Sequence, residues 1–188
     1  MQPRTVAIQD DNILLRMVRE GDEEAFESLF HRYEGAIYRF CLLMLGDQDA
    51  AKDIHQETFF RLYHHSRTGG DVRSIYGWLM SAARSRCLNY LRDQKRQARL
   101  ARDQAVERVV QPDFSTSIDL EHHLREALLN IPAHYREAIL LFEVEGYSYK
   151  EIAELLEIDF HQVKNRIYQA KRALQELLTP ILFESESR

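Results

Sequence analysis

At 188 residues and 45% hydrophobic content the chain can hold one or two small cores, and neither end carries an apolar run of membrane-spanning length. The opening MQPRTVAIQDD turns acidic at once, so no secretory leader is expected and a cytoplasmic protein is. The formal net charge of -5 would argue against a polyanionic partner if it were spread evenly, but positions 10–34 carry a balance of -5 and positions 84–108 one of +5.

Helical spacing begins at Asn12 and stops at Gly21. Asp22 then caps a long helix that runs to Gly46, with Glu23 and Glu24 in the dipole-favoured first turn. Its apolar stripe is Phe26, Leu29, Phe30, Tyr33, Ile37, Phe40, Cys41 and Met44. Asp47 caps a third helix, expected to reach about His64, whose inward stripe is Ala51, Ile54, Thr58 and Leu62. Asp53, Gln56, Glu57 and Phe60 share the opposite face at i, i+3, i+4 and i+7. An aromatic among acids on an outward face is either a protein-docking anchor, a merely exposed ring, or a ring covered by another helix.

The Gly-Gly pair and the polarity of HHSRTGGDVR predict a loop over 64–73. The pairs His64-His65 and His122-His123 lack a metal-ligand pattern and read as solvated, and Cys41 and Cys87 stand in no CxxC spacing. Ser74 caps a fourth helix from Ile75 to about Arg102. Trp78, Ser85, Asn89, Arg92 and Arg96 fall in one narrow sector, opposite an apolar side of Met80, Ala83, Cys87 and Leu91. An aromatic, small hydrogen-bonders and then arginines suit a nucleic-acid strand; Trp78 reads more readily as a core residue, an objection the arginines survive.

Periodicity fades after Asp103, and Pro112 blocks helix continuation, so 103–117 reads as a linker between 11–102 and 118–179. In the second unit Ile118–Asn130 forms a helix with Leu120, Leu124, Ala127 and Leu128 inward, and Pro132 opens another that runs to Gly146. Ser148 with Glu151 is a capping box, and Asp159 with Gln162 marks a second start, so two helices begin near Tyr149 and Phe160 across a tight turn. Pro180 is expected to end the last helix, with a frayed tail beyond it. Ile152, Ala153 and Leu156 are spaced to meet Val163, Ile167, Ala170 and Leu174. His161, Asn165, Tyr168 and Arg172, flanked by Gln162, Gln169, Lys164 and Lys171, form an opposite face without a carboxylate. Amides read base edges and cations hold phosphates, so a DNA-binding helix-turn-helix stands against a plain solvated helix. No stretch alternates as a strand, and the expected class is all-α with two small helical domains.

In order along the chain, GDEEAFESLFHRY, AKDIHQETFFRLY, GWLMSAARSRCLNYLR and the helix-turn-helix resemble an RNA polymerase sigma factor of the sigma-70 family, extracytoplasmic-function group, from Asp11 to Leu178. That resemblance implies a region-two domain over 11–102 and a region-four domain over 118–179. Asp53, Gln56, Glu57 and Phe60 would dock on the clamp helices of core polymerase. His64, His65, Arg67, Arg73, Trp78, Ser85, Asn89, Arg92 and Arg96 would engage the melted -10 element. Ser148, Lys150, His161, Gln162, Lys164, Asn165, Arg166, Tyr168, Gln169, Lys171 and Arg172 would serve the -35 element, and the same unit would touch the polymerase flap. It also implies an anti-sigma partner, no cofactor, no metal and no small-molecule substrate. Glu157 departs from the pattern, standing where glycine is frequent. A helix-turn-helix regulator that works without polymerase, and a sigma-like decoy that sequesters an anti-sigma protein, are the alternatives. No Gly-rich phosphate loop, HExxH or nucleophile–base pattern marks an enzyme.

Overall fold

Three aspartates and two glycines set the first helices. Asp10 accepts from the Asn12 N–H at 2.8 Å, Asp22 from Ala25 at 3.0 Å, and Asp47 from Asp49 and Ala50 at 3.0 Å each. Gly21 (φ 102°) and Gly46 (φ 70°) close the first two helices in the left-handed conformation that only glycine adopts without strain. The computed structural model describes residues 10–70, 72–102 and 120–186. The helices are α1 (Asp11–Glu20), α2 (Glu23–Leu45), α3 (Gln48–Arg67) and α4 (Ile75–Arg102) in the first unit. In the second they are α5 (Leu120–Asn130), α6 (Ala133–Ile139) with a π-turn (Leu140–Val144), α7 (Tyr149–Leu156) and α8 (Phe160–Glu186). Every regular element among the described residues is helical, as expected.

The first unit packs α1, α3 and α4 around α2. Leu29, Ile37, Phe40, Cys41 and Met44 of the expected stripe are buried, with Phe26, Phe30 and Tyr33 packed at its edge. Each fully buried large apolar side chain contributes about 1.5–3 kcal/mol. Cys41 and Cys87 are free thiols in the same core, and their mutual hydrogen bond, together with burial, raises the Cys87 pKa. In the second unit α5, α6 and α7 all lie against α8, while α5 and α6 also touch α2.

Four expectations are corrected. Helix α3 continues past His64 to Arg67, because buried Ser66 returns its hydroxyl to the Leu62 carbonyl and holds the last turn; His64, His65 and Arg67 are therefore helical, not in a loop. Leu124 points outward at 40% exposure while Ala127 and Leu128 are buried. The helix before Gly146 ends in a π-turn, with the Glu145 N–H on the Leu140 carbonyl at 3.0 Å. Residues 136–141, which lead into it, are buried without a break, so periodicity is lost before the turn begins. Finally, α8 runs through Pro180 to Glu186. The N–H that proline lacks leaves only the Glu176 carbonyl unpaired, on an exposed residue that water can reach. The expected linker 103–117, with Ile118, lies outside the described residues.

Candidate polymerase and nucleic-acid interfaces

On α3 the face expected to dock is open. Asp53 and Gln56 are exposed, and the Phe60 ring is 63% exposed, resting edge-on against His64 at 4.3 Å. Glu57 differs from its neighbours: it is half-buried, pairs with Arg61 at 2.9 Å and accepts from Arg86 of α4. It ties α3 to α4, and the freely presented set is Asp53, Gln56 and Phe60.

Where α3 meets α4, His65 stacks on half-buried Trp78 with centroids 5.3 Å apart at 26°. A Cβ on Gly70 would come within 2.2 Å of the His65 ring, so this packing requires glycine there. The Gly70 carbonyl accepts from Arg19 at 2.5 Å, and Arg67 lies across the end of α1, 3.5 Å from the Arg19 carbonyl. Arg73 is exposed and, with Ser74, Asp11, Arg32 and Tyr33, lines an open cleft of about 590 Å³ at the start of α4. Along α4, Ser85, Arg92 and Arg96 are exposed and Asn89 is half-buried. Trp78 thus falls between the two readings of it, since one side packs on the core while the rest borders the open stripe.

The helix-turn-helix forms as the caps require. The Ser148 hydroxyl accepts from the Glu151 N–H at 3.3 Å, and the Glu151 carboxylate accepts from the Ser148 N–H at 2.8 Å. These bonds hold the Glu151 carboxyl below its ordinary pKa. Helix α7 closes at Glu157, whose φ of 55° places a non-glycine residue in the left-handed region at about 1 kcal/mol. The Ile158 N–H reaches back to the Ala153 carbonyl at 3.1 Å, the bond of a Schellman turn. Asp159 then caps α8 through the Gln162 N–H at 2.9 Å. Ile152, Leu156, Val163, Ile167 and Ala170 are buried between the helices. A ladder of rings absent from the sequence reading braces the turn: Phe142 stacks on Tyr149 at 4.8 Å, and Tyr149 meets Phe160 edge-on at 5.8 Å.

The outward face of α8 presents His161, Gln162, Lys164, Asn165 and Arg172, with Tyr168 62% exposed, and Lys150 is exposed on α7. Gln169 is half-buried. Three cations are not free. Arg166 turns inward to Glu137, 2.9 Å away. Lys171 pairs with Glu143 at 2.6 Å, which raises its pKa, and sits 5.3 Å from the Phe142 ring centroid. Arg172 pairs with Glu176 at 2.9 Å, which raises its pKa as well. Between His161 and Arg172 the α8 face lacks a carboxylate, yet Glu176 one turn further along it and Glu143 beside it reach two of its cations. The signal for Arg166 was Glu137, an acid inside a buried run that the pattern analysis took as plain helix.

An exposed aromatic with acidic and amide neighbours stands on one helical unit, and a helix-turn-helix with an open amide-and-base face on the other, the arrangement of a helix-turn-helix DNA-binding protein. The Sigma-70 region 2 family model matches residues 29–97 and the Sigma-70, region 4 model matches residues 122–174. The chain is 30% identical over 168 residues to the RNA polymerase sigma factor CarQ of Myxococcus xanthus, covering 88% of this chain and 96% of CarQ. It is 29% identical over 176 residues to the ECF RNA polymerase sigma factor SigW of Bacillus subtilis, covering 87% and 94%. Among solved structures it resembles the sigma factor RpoE in complex with the anti-sigma factor NepR from Bartonella quintana (TM-score 0.66, 25% identity, 82% of this chain and 96% of that one). It shares its fold with CnrH, solved with the cytosolic domain of CnrY (TM-score 0.65, 23% identity, 90% and 97%). The chain belongs to the sigma-70 family of RNA polymerase sigma factors, in its extracytoplasmic-function group.

Proposed function

We propose that the protein binds core polymerase through Asp53, Gln56 and Phe60, and brings it to promoters whose -10 and -35 elements it reads with separate domains. The region-two domain would span 11–102, a linker 103–117 and the region-four domain 118–179. Exposed Phe60 carries the reading: a large ring at 63% exposure between polar neighbours suits the buried anchor of an interface. The end of α3, the start of α4 and the arginines along it take the melted strand, with base stacking near Trp78 and phosphates at Arg92 and Arg96. Helix α8 enters the major groove of the -35 element, where Gln162 and Asn165 read base edges and Lys164 holds a phosphate. Catalysis stays with the polymerase, and this chain contributes no active site. The cytoplasm is where those partners meet, and none of the helices among the described residues is long and apolar enough to cross a membrane. RpoE is solved with the anti-sigma factor NepR, and an anti-sigma protein is the regulatory partner we infer here.

The test is transcription in vitro from genomic fragments by core polymerase with and without the purified protein. Start sites that appear only with it, sharing a -35 and a -10 sequence, are the expected result. DNA binding with no new transcripts would instead indicate a polymerase-independent regulator, and no binding to either partner a decoy.

A further inference from the structure

The end of α3 and the start of α4 press one pair of rings together, and each end is fixed by its own hydrogen bonds. At the close of α3 the Gly69 N–H returns to the Ser66 carbonyl at 3.2 Å and the Gly70 N–H to the His65 carbonyl at 3.0 Å, with Gly69 at φ 80°. These are the two bonds of a Schellman turn, which brings the residue after the left-handed glycine against the one five places before it. Here those residues are Gly70 and His65, and the His65 Nε2, Cε1 and Cδ2 all lie within 2.6 Å of where a Gly70 Cβ would stand. At the start of α4 the Ser74 hydroxyl accepts from the Gly77 N–H at 3.2 Å, and the Ser74 carbonyl accepts from the Trp78 N–H at 2.9 Å. The indole is thereby set against the imidazole, with centroids 5.3 Å apart at 26°.

The pair is placed as a nucleotide would need it. His65 and Trp78 are both half-buried, so their stack borders solvent. Two exposed guanidiniums stand beside the turn: Arg19 donates to the Gly70 carbonyl at 2.5 Å, and Arg67 lies 3.5 Å from the Arg19 carbonyl. Neither makes an ion pair among the described residues. A flat ring beside uncommitted cations suits an unpaired base and its phosphate. Yet the ring face is taken, because the imidazole is itself a flat π-system lying on the indole. An aromatic side-chain pair is the weaker tie and a base on an aromatic ring the stronger, so a base held nearby displaces the imidazole.

We propose that His65 is a displaceable occupant of the Trp78 ring face: it fills the stacking place of an unpaired base, which enters only by turning the imidazole out. This rests on the melted-strand reading of α4 above. The backbone stays where it is, since the Schellman turn and the Ser74 cap hold both helix ends and only the His65 side chain has to rotate. Occupancy by the imidazole weakens every incoming base by one factor, set by the fraction of time the face is free. For an aromatic pair that factor is about 2- to 10-fold. The result is a threshold. Stray single strands are bound less well, whereas a strand already tethered along α4 meets the ring at high effective concentration and passes it.

The experiment uses the full-length protein and two dye-labelled single strands of about 12 nucleotides, one of mixed sequence and one wholly abasic, read by fluorescence anisotropy. Measured as the ratio of base-bearing to abasic affinity, His65→Ala should exceed the parent by about 2- to 10-fold. In a Trp78→Ala background the same change should gain nothing, because the face it frees is no longer there. Trp78 is the sole tryptophan, so acrylamide quenching reports its cover directly and should be stronger in His65→Ala. Alanine is favoured on a helix, and unchanged circular dichroism checks the fold. A ratio that His65→Ala leaves equal or lowers, a gain that persists without Trp78, or unaltered quenching overturns the displaceable occupant alone. No preference for the base-bearing strand in the parent or in His65→Ala overturns the strand reading at this end of α4, and the inference with it.

Discussion

Replacing Lys164 and Arg166, two cations two residues apart on α8, should have opposite consequences. Lys164 is exposed, while the Arg166 guanidinium lies 2.9 Å from a carboxylate that is itself 1% exposed. If Lys164 holds a phosphate, Lys164→Ala removes one released counterion, and the slope of log affinity against log salt becomes shallower by about 0.9. Between about 50 and 200 mM salt its deficit against the parent should shrink about 3.5-fold. Arg166→Ala should leave that slope alone and weaken the fold. Glu137 retains Arg84, so the loss is one charge-assisted hydrogen bond to a buried group, about 1–3 kcal/mol. That lowers the melting temperature by about 2–4 °C per kcal/mol in a chain of this size. Fluorescence anisotropy on a -35 duplex across the salt range, with thermal melts of the same preparations, measures both. A slope change for Arg166→Ala equal to that of Lys164→Ala, with an unaltered melt, would refute the inward assignment.

Phe60→Ala should reduce polymerase affinity about 30-fold or more, the loss of a central aromatic anchor, while circular dichroism is unchanged because the ring supports no core contact; titration of labelled protein with core polymerase reads it. The capping box predicts a pH effect on α7. Folding lowers the Glu151 pKa, so its contribution is complete above the ordinary carboxylate range and is lost as pH falls through the lower folded value. Glu151→Gln should remove that acid-dependent step from the unfolding profile, and a step that persists in the variant would assign it to another group.

Caps and periodicity made most of the helices legible, because each signal is local. Asp22, Asp47, Ser148 and Asp159 all accept the backbone N–H groups their positions imply. Phe60 was legible for the same reason: its acidic and amide neighbours excluded it from the inner stripe. What escaped depends on the third dimension. The π-turn follows a run, 136–141, that is buried all round, where a periodic signal vanishes. The roles of Glu57, Arg84 and Glu137 depend on partners 29 and 53 residues away, a distance at which sequence spacing carries no angular information. Proline was over-read: at Pro180 the cost of one missing bond on an exposed turn is too small to end a helix.

The allocation of cations bears on how DNA is drawn in. On α4 the bases nearest the bundle are engaged, Arg84 by Glu137 and Arg86 by Glu57, whereas Arg92, Lys95, Arg96 and Arg99 are exposed and make no ion pair among the described residues. Those four lie within about 10 Å of helix, close to one screening length at physiological salt, so they act on a strand as one patch. On α8 the pairs of Lys171 and Arg172 are exposed and screened by solvent, so a phosphate can displace the carboxylate. Arg84 and Arg166 have no such freedom, because releasing them would strand Glu137 in the interior. Burial of the acidic partner, more than the spacing of the bases along a helix, therefore decides which cations can reach DNA.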